Sequence, residues 1–391
     1  MSGAPPTVTP VRGARDLRAF IALPFRLYRG DPLWVPPLIA ERRSFLDPRH
    51  NPFFEHAEAA LWLARRGGRV VGRISSHIDH RHNATHGERA GMFGFFECED
   101  DREVAAVLLD RARSWCRDSG ATCLRGPLSF SMNHECGLLI DGWDGPPVFM
   151  MAYNPPAYSA LIEGCGLAKA MDLVTYTLRR SDVGGDPGRL PVELVRRAEA
   201  ARRRAGVTIR RGDIRSFDEE IARGLEIFRA AWRDNWGFVP PTDREAREIS
   251  RGLRRIVEPR LCTFAERDGT PIAFSMVVVD ANQVLARLGG RLLPLGWLKA
   301  LLYARRITGL RLLLFGVLAE HRGRGIEAAL VLETLLATLA AGYETLELSW
   351  ILEDNVPVRR LIEALGTPYG VRVHRRYRIY EMPIELAPRA P

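Results

Sequence analysis

The sequence predicts an α/β protein of the mixed-sheet, α+β kind, built as two similar domains in tandem. Three observations predict it. Apolar runs of strand character alternate along the chain with stretches of helical periodicity. The same order of strands and helices occurs twice. Between the copies, residues 181–206 (SDVGGDPGRLPVELVRRAEAARRRAG) open with Gly and Pro and then turn into a short basic helical pattern. That break sets a first domain at 8–180, a linker at 181–206 and a second domain at 207–386. A chain of 391 residues, 46% apolar and 26% charged, has the material for two such cores.

In the first domain, ALWLARRGGRVVGRISSHID reads as a hairpin turning at Gly67-Gly68, and GMFGFFECE as the next strand. VAAVLLDRARSWCRDSG is a helix stopped by Gly120, TCLRGPLSF a strand, AYSALIEGCG a short helix, and MDLVTYTL the closing strand. The second domain starts with VTIRRG and helical patterns over 217–235 and 243–257. Asp268-Gly269 between β-rich runs predicts a tight hairpin. Then follow the strand RLLLFGVLA (311–319), a helix over 326–341, the strand TLELSWIL, a helix over 357–365 ended by Gly366, and the strand RRYRIYEMPI.

The formal net charge is +9, carried almost wholly by Arg. Such a balance suits nucleic acid, an anionic membrane surface or a phosphorylated cofactor. No Lys/Arg tract, zinc-finger spacing or aromatic-basic RNA motif is present, which argues against nucleic acid. The six cysteines include no CxxC pair, and the N-terminus lacks a signal-peptide core, so the expected setting is a reducing cytoplasm. No run reaches the ~18 apolar residues of a membrane span.

Chemistry concentrates in FGVLAEHRGRGIEAAL, from Phe315 to Leu330. A strand feeds into Arg322-Gly323-Arg324-Gly325-Ile326, and a long helix follows. Glycines let successive N–H groups turn inward, the helix adds its positive end, and the arginines add charge. The arrangement is an anion cradle suited to a pyrophosphate; without a ligand it is a basic strand-to-helix turn. This strand, Arg-x-x-Gly-x loop and helix, followed by strand, helix and strand, resembles the coenzyme A-binding signature of the GNAT acyltransferases. The resemblance implies tandem GNAT-like domains. It places acyl-CoA in a splay between RLLLFGVLA and TLELSWIL, bound through Val317, Arg322, Gly323, Arg324, Gly325, Ile326 and Asn355.

Two residues depart from that pattern. Glu327 stands where the family has Gly or Ala, and its carboxylate repels a neighbouring pyrophosphate. Ile362 stands seven residues after Asn355, where many members carry the Tyr that protonates the thiolate. The first domain lacks the loop altogether; Glu97-Cys98-Glu99-Asp100-Asp101 occupies its place, which makes that half degenerate for CoA binding and leaves it to shape the acceptor side or to serve as scaffold.

Other segments carry candidate groups. Asn133, His134 and Glu135 stand in a row before a Gly/Pro-rich loop; His134 or Glu135 is a general base for an ammonium acceptor, or the run is a polar turn. Glu353, in Glu353-Asp354-Asn355, is a further base candidate beside the thioester, with Asp354 or Asn355 as a helix cap. Tyr158 either packs or faces the cleft. His77, His80, His82 and His86, with Asp79, lack the ligand spacing of a metal site, and none is expected. Leu295 to Ile307 pairs Leu, Trp and Ile with Lys299, Arg305 and Arg306. It is a core helix, a helix resting peripherally on an anionic membrane, or the wall of a long-chain acyl pocket.

RLYRGDPLWVPP, NPFFEHAEAALWLA, FGFFECEDD, SFSMNHECGLL, ELSWILEDN and YRIYE occur here in the order found in a two-halved GNAT group that includes bacterial ceramide synthases. That similarity implies a fatty acyl-CoA as co-substrate and a lipidic, sphingoid-type amine as acceptor. The alternatives are a GNAT acetyltransferase of a small polar amine and a non-catalytic acyl-CoA-binding protein.

Overall fold

The computed structural model describes residues 4–184 and 192–385. The Gly/Pro stretch 185–191 of the expected linker, and residue 386 at the end of the expected second domain, lie outside the described residues. The chain divides into two compact units. One comprises Met1–Leu173, Leu285–Ala300 and Arg375–Pro391; the other comprises Val174–Val284 and Leu301–His374.

The first unit opens with β1 (Thr7–Pro10), α1 (Gly13–Leu27) and α2 (Ile39–Phe45). The hairpin β2 (Ala57–Arg66) and β3 (Arg69–Asp79) turns at Gly67 and Gly68, both at positive φ. After α3 (His80–His86) come β4 (Ala90–Cys98), α4 (Arg102–Asp118), β5 (Cys123–Gly126), β6 (Leu138–Asp141), α5 (Ala157–Glu163) and β7 (Ala168–Arg179), which belongs to the second unit from Val174 on. Asp101 starts α4 by accepting the N–H groups of Glu103 and Val104. The apolar face of α4 covers the sheet with Val104, Leu108 and Ala112, packed among Ile74, Phe93 and Leu124. It lies close because the sheet offers glycines beneath it: a Cβ on Gly72 would stand 2.7 Å from Leu108 Cδ1, and one on Gly91 2.5 Å from Cys116 Cβ.

The second unit continues with α6 (Val192–Ala205), β8 (Thr208–Arg211), α7 (Phe217–Ala231), α8 (Asp243–Leu253), β9 (Thr263–Arg267), β10 (Thr270–Val279) and α9 (Asn282–Leu285). Asp268 and Gly269 form the expected turn between β9 and β10. A capping box between Thr242 and Glu245 starts α8. Beyond α10 (Gly296–Ala304), which belongs to the first unit as far as Ala300, lie β11 (Gly309–Val317), α11 (Ile326–Ala340), β12 (Thr345–Leu352), α12 (Val356–Gly366) and β13 (Val373–Pro383), which returns to the first unit from Arg375.

Within the first unit the strand order is β1-β2-β3-β4-β5-β13, with β6 also on β13; β4 and β5 run parallel and the remaining pairs antiparallel. Within the second it is β8-β9-β10-β11-β12, antiparallel except for β11 and β12, which α11 connects in parallel. Each unit therefore contains one parallel strand pair joined through a helix. Ligands in such folds bind at the carboxyl ends of parallel strands, and the candidate loop is at that end of β11.

The segment expected as a core helix, a membrane-surface helix or a pocket wall is α10 with its preceding loop. No residue of α10 is buried. The core-helix alternative therefore does not hold: among the described residues its leucines stay largely exposed.

Candidate functional site

Along β10, Met276 pairs with Leu314 but Val277 with Leu312, so Leu313 is an extra residue in β11. Such a bulge bends and twists its strand. The parallel pairing of β11 with β12 reaches Leu312 and Leu348, while both strands run on to Val317 and Leu352. The two strands part at the bulge.

The polar groups of β11 past the bulge point into the gap in alternation. Leu318 donates its N–H to Ile272 O at 3.0 Å, which directs Gly316 to β10 as well and turns Phe315 and Val317 to the open side. Two contacts agree. Phe315 O accepts from Trp232 Nε1 at 2.8 Å, and Val317 O accepts from Arg322 Nε at 3.1 Å. Trp232 also meets Trp350 of β12, ring centres 5.8 Å apart, so two indoles flank the gap.

At the C-terminal end of β11, Gly323 (φ 71°) and Gly325 (φ 82°) take the left-handed conformation that makes the loop curl, and Gly325 is the N-cap of α11 without any side-chain cap. Arg324 is exposed. Arg322 is turned back, bonding Val317 O and Ala231 O, so it shapes the loop. Ile326 is buried against Leu330 and Val317. Glu327 Oε1 accepts the N–H of Gly323 at 3.3 Å. A carboxylate thus already holds one N–H group of the glycine loop. The loop has a neighbour that sequence does not reveal: a Cβ on Gly325 would lie 2.6 Å from Ala201 Cβ of α6, whose last turn carries the exposed Arg202, Arg203 and Arg204.

The junction of β12 and α12 holds the other second-unit candidates. Asn355 caps α12 through the N–H of Val358 at 3.5 Å, Glu353 is half-buried, and its carbonyl accepts from Arg359 at 2.9 Å. Ile362 is buried with Val174 and Tyr176. A further buried group escaped the sequence reading. His374 Nδ1 lies 2.6 Å from Thr177 Oγ1 and 3.7 Å from Glu347 Oε2, and Arg311 bonds Ser349 at 2.9 Å. Its members are scattered along the chain; the available signal was a carboxylate, Glu347, inside an otherwise apolar strand.

In the first unit, His134 and Glu135 sit in a turn closed by Ser129 N–H to Glu135 O, 2.8 Å, and Gly137 N–H to Pro127 O, 2.9 Å. His134 Nδ1 is 2.9 Å from Ser131 Oγ, and Glu135 is ion-paired with Arg42 at 2.8 Å. Here β4 also carries a bulge, at Phe95 and Phe96 opposite Ile74, and its parallel pairing with β5 ends at Met92 and Arg125. The divergence is refilled. Leu128 donates its N–H to Phe93 O at 2.7 Å, and Phe45, Phe53, Phe95 and Phe130 pack together in the space beyond. The acidic run is consumed locally. Asp101 caps α4 and pairs with Arg66; Glu99 pairs with Arg69; Glu97 is buried, accepts from Tyr28 and Tyr158 at 2.7 and 3.1 Å, and is pushed up to about 7 by burial. Tyr158 is therefore a packing residue, its hydroxyl also bonded to the Cys98 backbone.

The histidine-rich stretch is structural too. Asp79 caps α3 and bonds His56, while His77 is fully buried against Phe130 O at 2.8 Å. Among the described residues no group of three His, Cys, Asp or Glu is placed to hold a metal.

No protein-family profile matches the chain. It is 38% identical to the "Bacterial ceramide synthase" of Caulobacter vibrioides over 382 residues, 96% of this chain and 97% of that protein. It is 37% identical to "Protein YghO" of Escherichia coli K12 over 377 residues, 94% and 93% of the two. Among solved structures it resembles a tandem GNAT protein from the clavulanic acid biosynthesis pathway, with TM-score 0.57, 16% identity and coverage of 98% and 100%. It also resembles a GCN5-related N-acetyltransferase from Sphaerobacter thermophilus, with TM-score 0.52, 14% identity and coverage of 97% and 96%. These structural likenesses show the fold, which is that of tandem GNAT proteins.

Proposed function

The chain belongs to the family of the bacterial ceramide synthase and is an acyltransferase, and from that premise we propose that it uses a fatty acyl-CoA to N-acylate a long-chain, sphingoid-type amine. The observation that carries this reading is the parting of β11 and β12 at Leu313, with a glycine-rich loop at the carboxyl end of β11. Acyl-CoA lies in that gap, with its pyrophosphate on Gly323, Arg324, Gly325 and Ile326. Val317 turns its N–H toward the thioester carbonyl, and Asn355 fixes the far wall.

An uncharged amine attacks the thioester carbon. The oxyanion that forms is held by the Val317 N–H, and its collapse breaks the C–S bond, releases CoA thiolate and leaves an amide. The nitrogen loses its proton to a base; Glu353 is that base at the gap. His134 and Glu135, in the first half, are the other base candidates. The sequence-based division into domains at 8–180 and 207–386 belongs to the same reading. So do a cytoplasmic location and contact with the inner face of the membrane through 295–307. Among the described residues no helix is long and apolar enough to cross a membrane.

The test is product formation, by mass spectrometry, from palmitoyl-CoA or acetyl-CoA with a sphingoid base or a small polar amine, alongside calorimetric CoA stoichiometry. A long-chain amide and one CoA per chain are expected. Preference for acetyl-CoA and a polar amine would replace the proposal with a small-amine acetyltransferase. Binding without turnover would leave an acyl-CoA-binding protein, and two CoA per chain would move the site assignment.

A further inference from the structure

We propose that Arg291 to Arg306 is a docking surface for an anionic lipid bilayer. Leu293, Leu295, Trp297, Leu301 and Leu302 would enter the acyl boundary, and Arg291, Lys299, Arg305 and Arg306 would meet the headgroups. The proposal deepens the membrane contact of that acyltransferase reading by naming the inserting side chains, the cations and the lipid charge they select, and it stands on observations separate from the catalytic gap.

The first observation is exposure. Seven large apolar side chains between Leu292 and Leu302 are 40–77% exposed, while the cores of this protein bury theirs. A contiguous apolar patch of this kind marks an interaction site. Helical spacing aligns Trp297 with Leu301 and Leu298 with Leu302; Lys299 stands on the same helix, and Arg305 and Arg306 follow in the turn that ends it. An interfacial helix has this layout, with cations able to reach headgroups beside an inserted apolar face.

The second is that the protrusion is held in place. Ile39 donates its N–H to Gly290 O at 2.9 Å, and Gly290 lies so near Phe25 that a Cβ there would stand 2.6 Å from its ring. Trp297 N–H then bonds Leu292 O at 2.8 Å, fixing the turn into α10. The leucines project from an anchored base.

The third is charge. No Asp or Glu occurs between Asp280 and Glu320. Arg291, Lys299, Arg305 and Arg306 are exposed and make no ion pair among the described residues. That pattern selects the occupant. A second copy docked face to face would set these cations against their own equivalents. An enclosed acyl chain needs walls on all sides, and side chains this exposed are not enclosed among the described residues. An anionic bilayer satisfies both the leucines and the cations. With nine residues at about 1.5 Å each, α10 is far shorter than the hydrocarbon core, so it rests on the bilayer.

Flotation with vesicles of phosphatidylcholine, with and without phosphatidylglycerol and with no acyl donor present, tests the surface. The native protein should float with the phosphatidylglycerol vesicles, and more weakly in high salt. Leu293→Ser/Leu301→Ser/Leu302→Ser should weaken partitioning by about tenfold or more, and Lys299→Glu/Arg305→Glu/Arg306→Glu should abolish the anionic preference. Melting temperature and turnover of detergent-dispersed substrates should stay as in the native protein. Native protein that does not float, or a triple-serine variant that floats like it, overturns the proposal. So does concentration-dependent self-association without vesicle binding, which would mark a contact between copies. A serine variant that floats normally but loses turnover of dispersed palmitoyl-CoA would make this an acyl pocket instead. Absence of any amide product in the native protein refutes the acyltransferase reading and leaves the vesicle result standing.

Discussion

Glu327 gives the sharpest quantitative test of the phosphate loop. Its Oε1 accepts the Gly323 N–H at 3.3 Å, so a pyrophosphate must displace it to reach the same donor. After displacement the carboxylate stays on the first turn of α11, and rotation of the side chain leaves it roughly 6 Å from the incoming charge. Two unit charges at about 6 Å repel by roughly 0.7 kcal/mol in water and about 2.8 kcal/mol at an effective dielectric of ~20. Glu327→Ala and Glu327→Gln should therefore tighten CoA binding by about 3-fold to 100-fold. Calorimetry at low salt should show the gain, and added salt should shrink it by screening. The cost to folding is that of one partly exposed hydrogen bond, about 0.5–1 kcal/mol, so both variants stay folded. A Kd that is unchanged or weaker in folded variants would refute the reasoning and mean that the carboxylate holds the loop in shape.

Gly325 behaves differently. At φ 82°, with Ala201 Cβ 2.6 Å from any Cβ placed there, Gly325→Ala should cost about 1–3 kcal/mol in urea unfolding as α6 is displaced, whereas Arg324→Ala should leave stability unchanged and weaken CoA. Equal stability of the Gly325 variant would show that α6 yields freely. Two buried groups should tilt the pH profile of stability in opposite senses. Burial pushes His77 down to about 4 from an ordinary value near 6.5, so the stability it confers is present above 6.5 and lost as pH falls through 4. Burial pushes Glu97 up to about 7 from near 4.5, so its contribution is full below 4.5 and lost as pH rises through 7. Urea unfolding at several pH values should show His77→Gln removing the acid-side loss and Glu97→Gln the alkaline-side loss, each up to about 1.4 kcal/mol per pH unit inside its window. Profiles that superimpose on the native one would refute both assignments.

Much of this protein follows from local chemistry that the sequence displays. The two glycine-turned hairpins, the strand-loop-helix around Arg322 to Ile326, a helix cap at Asp354 or Asn355 and the tandem order are legible from backbone preference and period, and the described elements match them within a few residues, with Asn355 as the cap. The resemblance to the GNAT family was likewise carried by contiguous motifs. What only the tertiary structure decided depends on residues far apart in the chain. The bulge at Leu313 shows itself only in pairing with β10, and the closure of the equivalent gap needs Leu128 to reach Phe93 while four phenylalanines converge. The acidic run Glu97 to Asp101 looked like a charge barrier, but capping, ion pairing and burial use most of those carboxylates. Periodicity marks the apolar face of 295–307 but not what covers it. Burial is a property of neighbours, and among the described residues those around α10 leave its large apolar side chains exposed.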